Sequence, residues 1–228
     1  MKIQPIITGK ALCRHYRRGS EVVRALDGVD IEIRPSEAVC ILGPSGSGKT
    51  TLINLLSALD SPTDGELFID GRAVHGLTEN ELVAVRRGVI GYVFQQFHLI
   101  PTLTVSDNIL LPALFLGQTI GKSDLGRVLD DVGLLDRANH YPSELSGGQM
   151  QRVAIGRALI VKPRVLIADE PTGNLDRQTG RTVFDLFMKS VRNDGIALVL
   201  TTHNLELSRL CDRIITLQDG KITAQAGD

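Results

Sequence analysis

Gly43-Pro44-Ser45-Gly46-Ser47-Gly48-Lys49-Thr50 fits the pattern G-x-x-x-x-G-K-[ST]. Glycines at this spacing let backbone N–H groups converge on phosphate oxygens, and a helix that follows at once adds the positive end of its dipole. Lys49 would reach the β and γ phosphates of a nucleotide, and the Thr50 hydroxyl would ligate Mg²⁺. Further along, the apolar stretch Arg164-Val165-Leu166-Ile167-Ala168 ends in Asp169 and Glu170. Asp169 suits Mg²⁺, and Glu170 is then free to polarise an attacking water as general base. Alone, an Asp-Glu pair closing an apolar strand is a solvated strand end; behind a phosphate loop it points to hydrolysis as well as binding.

Between these two segments lies Leu145-Ser146-Gly147-Gly148-Gln149. Ser146 is a good N-cap, the glycines admit close backbone approach, and Val153, Ile155, Ala158 and Leu159 continue with helical spacing. In isolation this is a capped helix start. With a phosphate loop upstream it is a second anion site, and one chain cannot easily bring both helix ends to the same γ-phosphate. The economical geometry is a head-to-tail pair of chains with ATP between them.

The intervening pattern says what must hold these residues. Val29, Ile31 and Ile33 alternate with Asp30, Glu32 and Arg34, a half-exposed strand. Ala38 to Leu42 is continuously apolar, a strand covered on both faces that feeds the glycine loop, and 50–59 has helical spacing. Segments 66–71, 89–94, 164–169, 197–202 and 214–217 predict further strands, the last of these closing the sheet. Helical leucine patterns occupy 104–116 and 123–135, and another helix runs through Val183, Leu186, Phe187 and Val191 to a stop at 193–195. Strands alternating with helices predict an α/β fold, a mainly parallel sheet with helices on both faces and an inserted helical subdomain. The expected layout is one domain over 1–228, with the core at about 1–95 and 163–228 and the helical subdomain at about 96–162.

With 228 residues, 43% apolar content and a net charge of −1, the chain has material for a sizeable core. It lacks the basic excess of a nucleic-acid-binding surface, so no nucleic-acid partner is expected. The apolar run at 109–116 is broken by Pro112 and falls short of the roughly 20 residues a membrane span needs. No secretory signal is legible at the N-terminus. Cys13, Cys40 and Cys211 are read as buried reduced thiols. Together these points predict a cytoplasmic chain. His15, His75, His98 and His140 show no ligand-like pairing along the sequence, and no metal is assigned to them.

The order and spacing of the motifs resemble the nucleotide-binding subunit of an ATP-binding-cassette (ABC) transporter, over essentially the whole chain. The resemblance implies a P-loop NTPase core with an N-terminal antiparallel β-subdomain, and makes 43–50 the Walker A loop, 165–170 Walker B and 145–149 the signature. It adds Thr51 and Gln149 to the nucleotide contacts, Gln95 as the glutamine touching Mg²⁺ and the attacking water, His203 as the histidine at the γ-phosphate, and Tyr16 as the residue stacking on adenine. Gly173-Asn174-Leu175-Asp176 takes the place of the loop where partner chains touch, with Asp176 near the nucleotide; the family more often has Ser-Ala at the first two positions.

Phe94 to Pro101 and Ser57 to Gly65 are similar to the MacB, LolD and FtsE branch. That branch implies a homodimer on the inner face of the cell membrane and a separate permease subunit docking near 96–116, where Phe97, Leu99, Ile100, Pro101, Leu103 and Val105 make an unusually apolar stretch. A periplasmic adaptor is a further implied partner. The work would be export, lipoprotein release or mechanotransmission, with an amino-acid-type importer or a force relay without cargo as the alternatives. A coiled-coil chromosome ATPase is excluded by the short 49–145 interval, and a ribosome-acting member by the single cassette.

Overall fold

The computed structural model describes residues 4–19 and 21–227. Its frame is a six-stranded sheet in the order β10-β9-β3-β8-β7-β6, formed by β3 (Ala38–Leu42), β6 (Ile90–Val93), β7 (Val165–Ala168), β8 (Ala197–Thr201), β9 (Arg213–Gln218) and β10 (Lys221–Ala226). All pairings are parallel except that of β10 with β9. The β-branched and leucine-rich runs of β3, β7 and β8 suit strands covered on both faces, and their side chains divide by parity. Val39, Ile41, Val165, Ile167 and Val199 join one core; Ala38, Cys40, Leu166, Ala168, Leu198 and Leu200 join the other.

Over the first face lies a smaller antiparallel sheet, β2-β1-β4-β5, built from β1 (Ile7–Arg18), β2 (Glu21–Ile33), β4 (Asp64–Ile69) and β5 (Arg72–Ala73). Helix α1 (Lys49–Leu56) is packed into the same core through Leu52, Ile53, Leu55 and Leu56. In β2 the alternation holds as expected, with Val29, Ile31 and Ile33 buried and Asp30 and Glu32 exposed. The opposite face is covered by α3 (Val105–Phe115), α4 (Lys122–Asp131), α5 (Gly147–Leu159) and α6 (Arg177–Asp194). Among the described residues, only helices and turns lie between β6 and β7. No described helix is long and apolar enough to cross a membrane.

Several features depart from the sequence expectations, among them β1, which no predicted strand covered. The sheet does not close at 214–217: β10 follows, a mostly exposed edge strand whose polar side chains gave no burial signal. Helix α2 (Glu79–Arg86) buries only Leu82 and Val85, too little for a visible stripe, but Thr78 and Glu81 close a capping box at its start. Of the cysteines, Cys40 alone is fully buried; Cys13 and Cys211 are half-buried free thiols.

Candidate nucleotide site

Parallel strands β3, β8 and β7 are neighbours, so their carboxyl ends gather the glycine loop, Thr201 with His203, and the Asp169-Glu170 pair on one edge of the sheet. Gly43, Gly46 and Gly48 have φ of 157°, 79° and 104°, backbone that glycine adopts readily. Space demands glycine too: a Cβ on Gly43 would lie 2.2 Å from the Leu217 carbonyl oxygen, and one on Gly48 2.4 Å from that of Ala25. The loop ends at Gly48, the N-cap of α1, whose first turn carries no acidic side chain to compete with an anion. Lys49 is 8% exposed and donates to the carbonyls of Gly43 (2.8 Å) and Pro44 (3.0 Å).

A cavity of about 460 Å³ opens over this loop, lined by Ser45, Gly46, Gly48, Lys49, Thr50 and Thr51 together with Glu170 and His203. Ser47 Oγ, within the same loop, is buried and makes no hydrogen bond among the described residues. His203 Nε2 lies 2.6 Å from Glu170 Oε1. Thr201, a residue the motif pattern did not single out, joins the two acids: its Oγ1 donates to Asp169 Oδ1 (2.7 Å) and accepts from the Glu170 N–H (2.9 Å). Glu170 has φ 45°, a left-handed conformation that costs a non-glycine residue about 1–3 kcal/mol. The hydrogen bond its N–H donates to Thr201 Oγ1 and the 2.6 Å contact with His203 hold it there.

The Thr50 hydroxyl, the Asp169 carboxylate and the Gln95 amide oxygen are all oxygen donors, a chemistry that fits Mg²⁺ rather than a soft metal, and of the three Thr50 lines the cavity. Gln95 is exposed just past β6; its carbonyl accepts from Asn174 Nδ2 at 3.3 Å. A Cβ on Gly173 would stand 3.0 Å from Gln95 Nε2. Asn174 thus bonds the Gln95 backbone, and Gly173 leaves room beside the Gln95 side chain that a Cβ would crowd.

Ser146 caps α5, its Oγ accepting from the Gln149 N–H at 3.3 Å, while Gln149 Oε1 accepts from the Ser146 N–H at 2.8 Å. Gln149 thus closes a capping box with its own helix. Ser146, Gly148 and Gln149 line a separate cavity of about 220 Å³ with Thr179 and Thr182, and among the described residues none lines both cavities. Asp176 caps α6, accepting from the N–H groups of Gln178 and Thr179, both at 3.0 Å. Hydrogen bonding to Thr179, side chain first and backbone second, lowers its pKa, so the cap holds at neutral pH and weakens as acid protonates it.

Tyr16 lies outside the cavity lining, to which the antiparallel sheet gives Val23, Arg24 and Ala25. Its hydroxyl donates to Asp60 Oδ2 at 3.1 Å, and the Arg14 guanidinium sits 4.8 Å from its ring centroid. His15, without sequence partners, is brought by the strand pairing beside Cys13 and Asp27, with candidate ligand atoms up to 4.8 Å apart. Zinc bonds of about 2.0–2.3 Å would need a tighter group, and Asp27 already lies 3.4 Å from Lys221 Nζ.

The expected docking stretch divides. Val105 is fully buried and Leu99 is packed against the core, while Ile100, and at the end of α3 Leu114 (72% exposed) and Phe115 (70%), are open to solvent.

Comparison with known proteins places this geometry. The family described as ABC transporter matches residues 26–173. An uncharacterised ABC transporter ATP-binding protein of Methanocaldococcus jannaschii is 43% identical over 219 residues, covering 95% of this chain and 97% of that one. The lipoprotein-releasing system ATP-binding protein LolD 1 of Rhodospirillum rubrum is 41% identical over 213 residues, covering 92% and 94%. Among solved structures, the dimeric post-hydrolysis state of the ATP-binding cassette MJ0796 bound to ADP and Pi superposes with a TM-score of 0.88 at 40% identity, over 97% of this chain and 98% of that one.

Proposed function

The chain belongs to the ABC transporter ATP-binding family and is an ATPase, and on that premise we propose that two copies close head to tail around two ATP molecules to drive a separate membrane subunit. The observation that supports this is the separation of the two helix N-termini into different cavities of one chain, so that neither cavity alone gathers both. In this reading the glycine loop, Lys49 and Thr51 hold the phosphates, and Ser146, Gly147 and Gly148 of the partner copy complete the γ-phosphate cradle. Mg²⁺ bound by Thr50, Asp169 and Gln95 would offset phosphate charge. Glu170 accepts the proton of the attacking water, His203 holds Glu170 and the γ-phosphate in line, and Gln95 orients the water. Tyr16, near the end of β1, would stack on adenine.

The resemblance to LolD supports export or lipoprotein release, at the inner face of the membrane, with the exposed Leu114 and Phe115 as part of the docking surface. The test is to solubilise native-host membranes containing tagged Glu170→Gln with ATP and Mg²⁺ and identify the proteins that co-purify. A few-helix subunit with a large extracytoplasmic domain is expected, lost when Phe115→Asp is added; an importer-type permease would overturn the export reading.

A further inference from the structure

Gln151 sits on α5, five residues beyond its Ser146 cap, and is completely buried. Its Nε2 donates to the carbonyls of Pro171 (2.8 Å) and Phe94 (3.4 Å). Those carbonyls belong to the residue after Glu170 and the residue before Gln95. The amide orientation is dictated by them, since the flipped form would set its oxygen against two carbonyl oxygens. In this orientation Gln151 Oε1 is buried with no hydrogen-bond partner among the described residues, a costly arrangement. The site accepts a buried orphan oxygen in order to keep the two donors.

We propose that Gln151 is a positioning residue that makes hydrolysis at one nucleotide depend on engagement of the other. This rests on the shared-nucleotide reading above. The start of α5 serves the partner's ATP, whereas Gln95 and Glu170 serve the chain's own. One amide joins the two: seating of α5 on the partner's γ-phosphate fixes Gln151, and through the carbonyls of Phe94 and Pro171 it fixes Gln95 and Glu170. Thr201 and His203 hold Glu170 locally, and Gln151 adds the link from both segments to α5.

Gln151→Met preserves length and removes both donors. Expected are unchanged ATP affinity of the monomer, an ATP-stabilised dimer still formed in the Glu170→Gln background, kcat about tenfold to a hundredfold lower, and an ATP Hill coefficient reduced toward one. Unchanged kcat and Hill coefficient would overturn the proposal, as would loss of the dimer itself, which would make Gln151 a dimer contact. A second measurement needs no change at 151: amide exchange of Glu170→Gln with ATP, beside Glu170→Gln carrying Ser146→Arg with ATP bound to the monomer. Residues 94–96 and 170–173 should gain protection only in the dimer; equal protection in the ATP-bound monomer would sink the coupling. Absence of any dimer in the first sample would instead strike the shared-nucleotide reading.

Discussion

Thr201 carries more of the site than its single hydroxyl suggests, because it donates to the Asp169 carboxylate and accepts from the Glu170 backbone N–H, both bonds below 3 Å. Thr201→Val keeps the shape and leaves the Glu170 N–H without its acceptor, which should cost about 1–3 kcal/mol of stability. Turnover should fall at least about tenfold with ATP affinity little changed, because what is lost is alignment and not binding. Phosphate-release kinetics with nucleotide titration check this, and wild-type turnover in the variant would remove Thr201 from the account. The placement of Gly43–Thr50, Asp169 and Glu170 was legible in the sequence because it is local: a turn, a helix start and a strand end. Thr201 and Gln151 were not, since their roles arise only when β8 lies between β3 and β7 and α5 reaches the segments after β6 and β7.

Among the elements, α5 packs closely against α6 at Gly148. A Cβ on Gly148 would fall 2.2 Å from Thr179 Cγ2, so Gly148 is required by contact with the neighbouring helix. Gly148→Ala should destabilise the fold by about 1–3 kcal/mol through overpacking. Combining it with Thr179→Ser, which deletes the obstructing methyl, should recover much of that loss. A double-mutant cycle by urea unfolding reads the result; strict additivity would show that the clash is relieved elsewhere. The strands were predictable where they are buried, as in Ala38–Leu42, and β10 was missed because an exposed edge has no apolar alternation. Helix α2 was missed for a related reason, having two buried residues and a cap that only the sequence Thr78 to Glu81 betrays.

For the whole molecule, the central claim is that one chain holds two halves of two different sites. Fold and family follow from motif order, whereas the proposed docking surface depends on which apolar residues of 96–116 remain outside the core: Val105 and Ile109 do not, Leu114 and Phe115 do. In the proposed dimer, removal of the γ-phosphate by hydrolysis would delete the ligand that joins the two copies, so opening would follow chemistry. The direct measurement is the mass of purified Glu170→Gln by size-exclusion chromatography with light scattering, in ATP and in ADP with Mg²⁺. A dimer in ATP, a monomer in ADP, and a nucleotide-bound monomer once Ser146→Arg is added are the predicted results; a Glu170→Gln chain that binds ATP and stays monomeric would contradict the account.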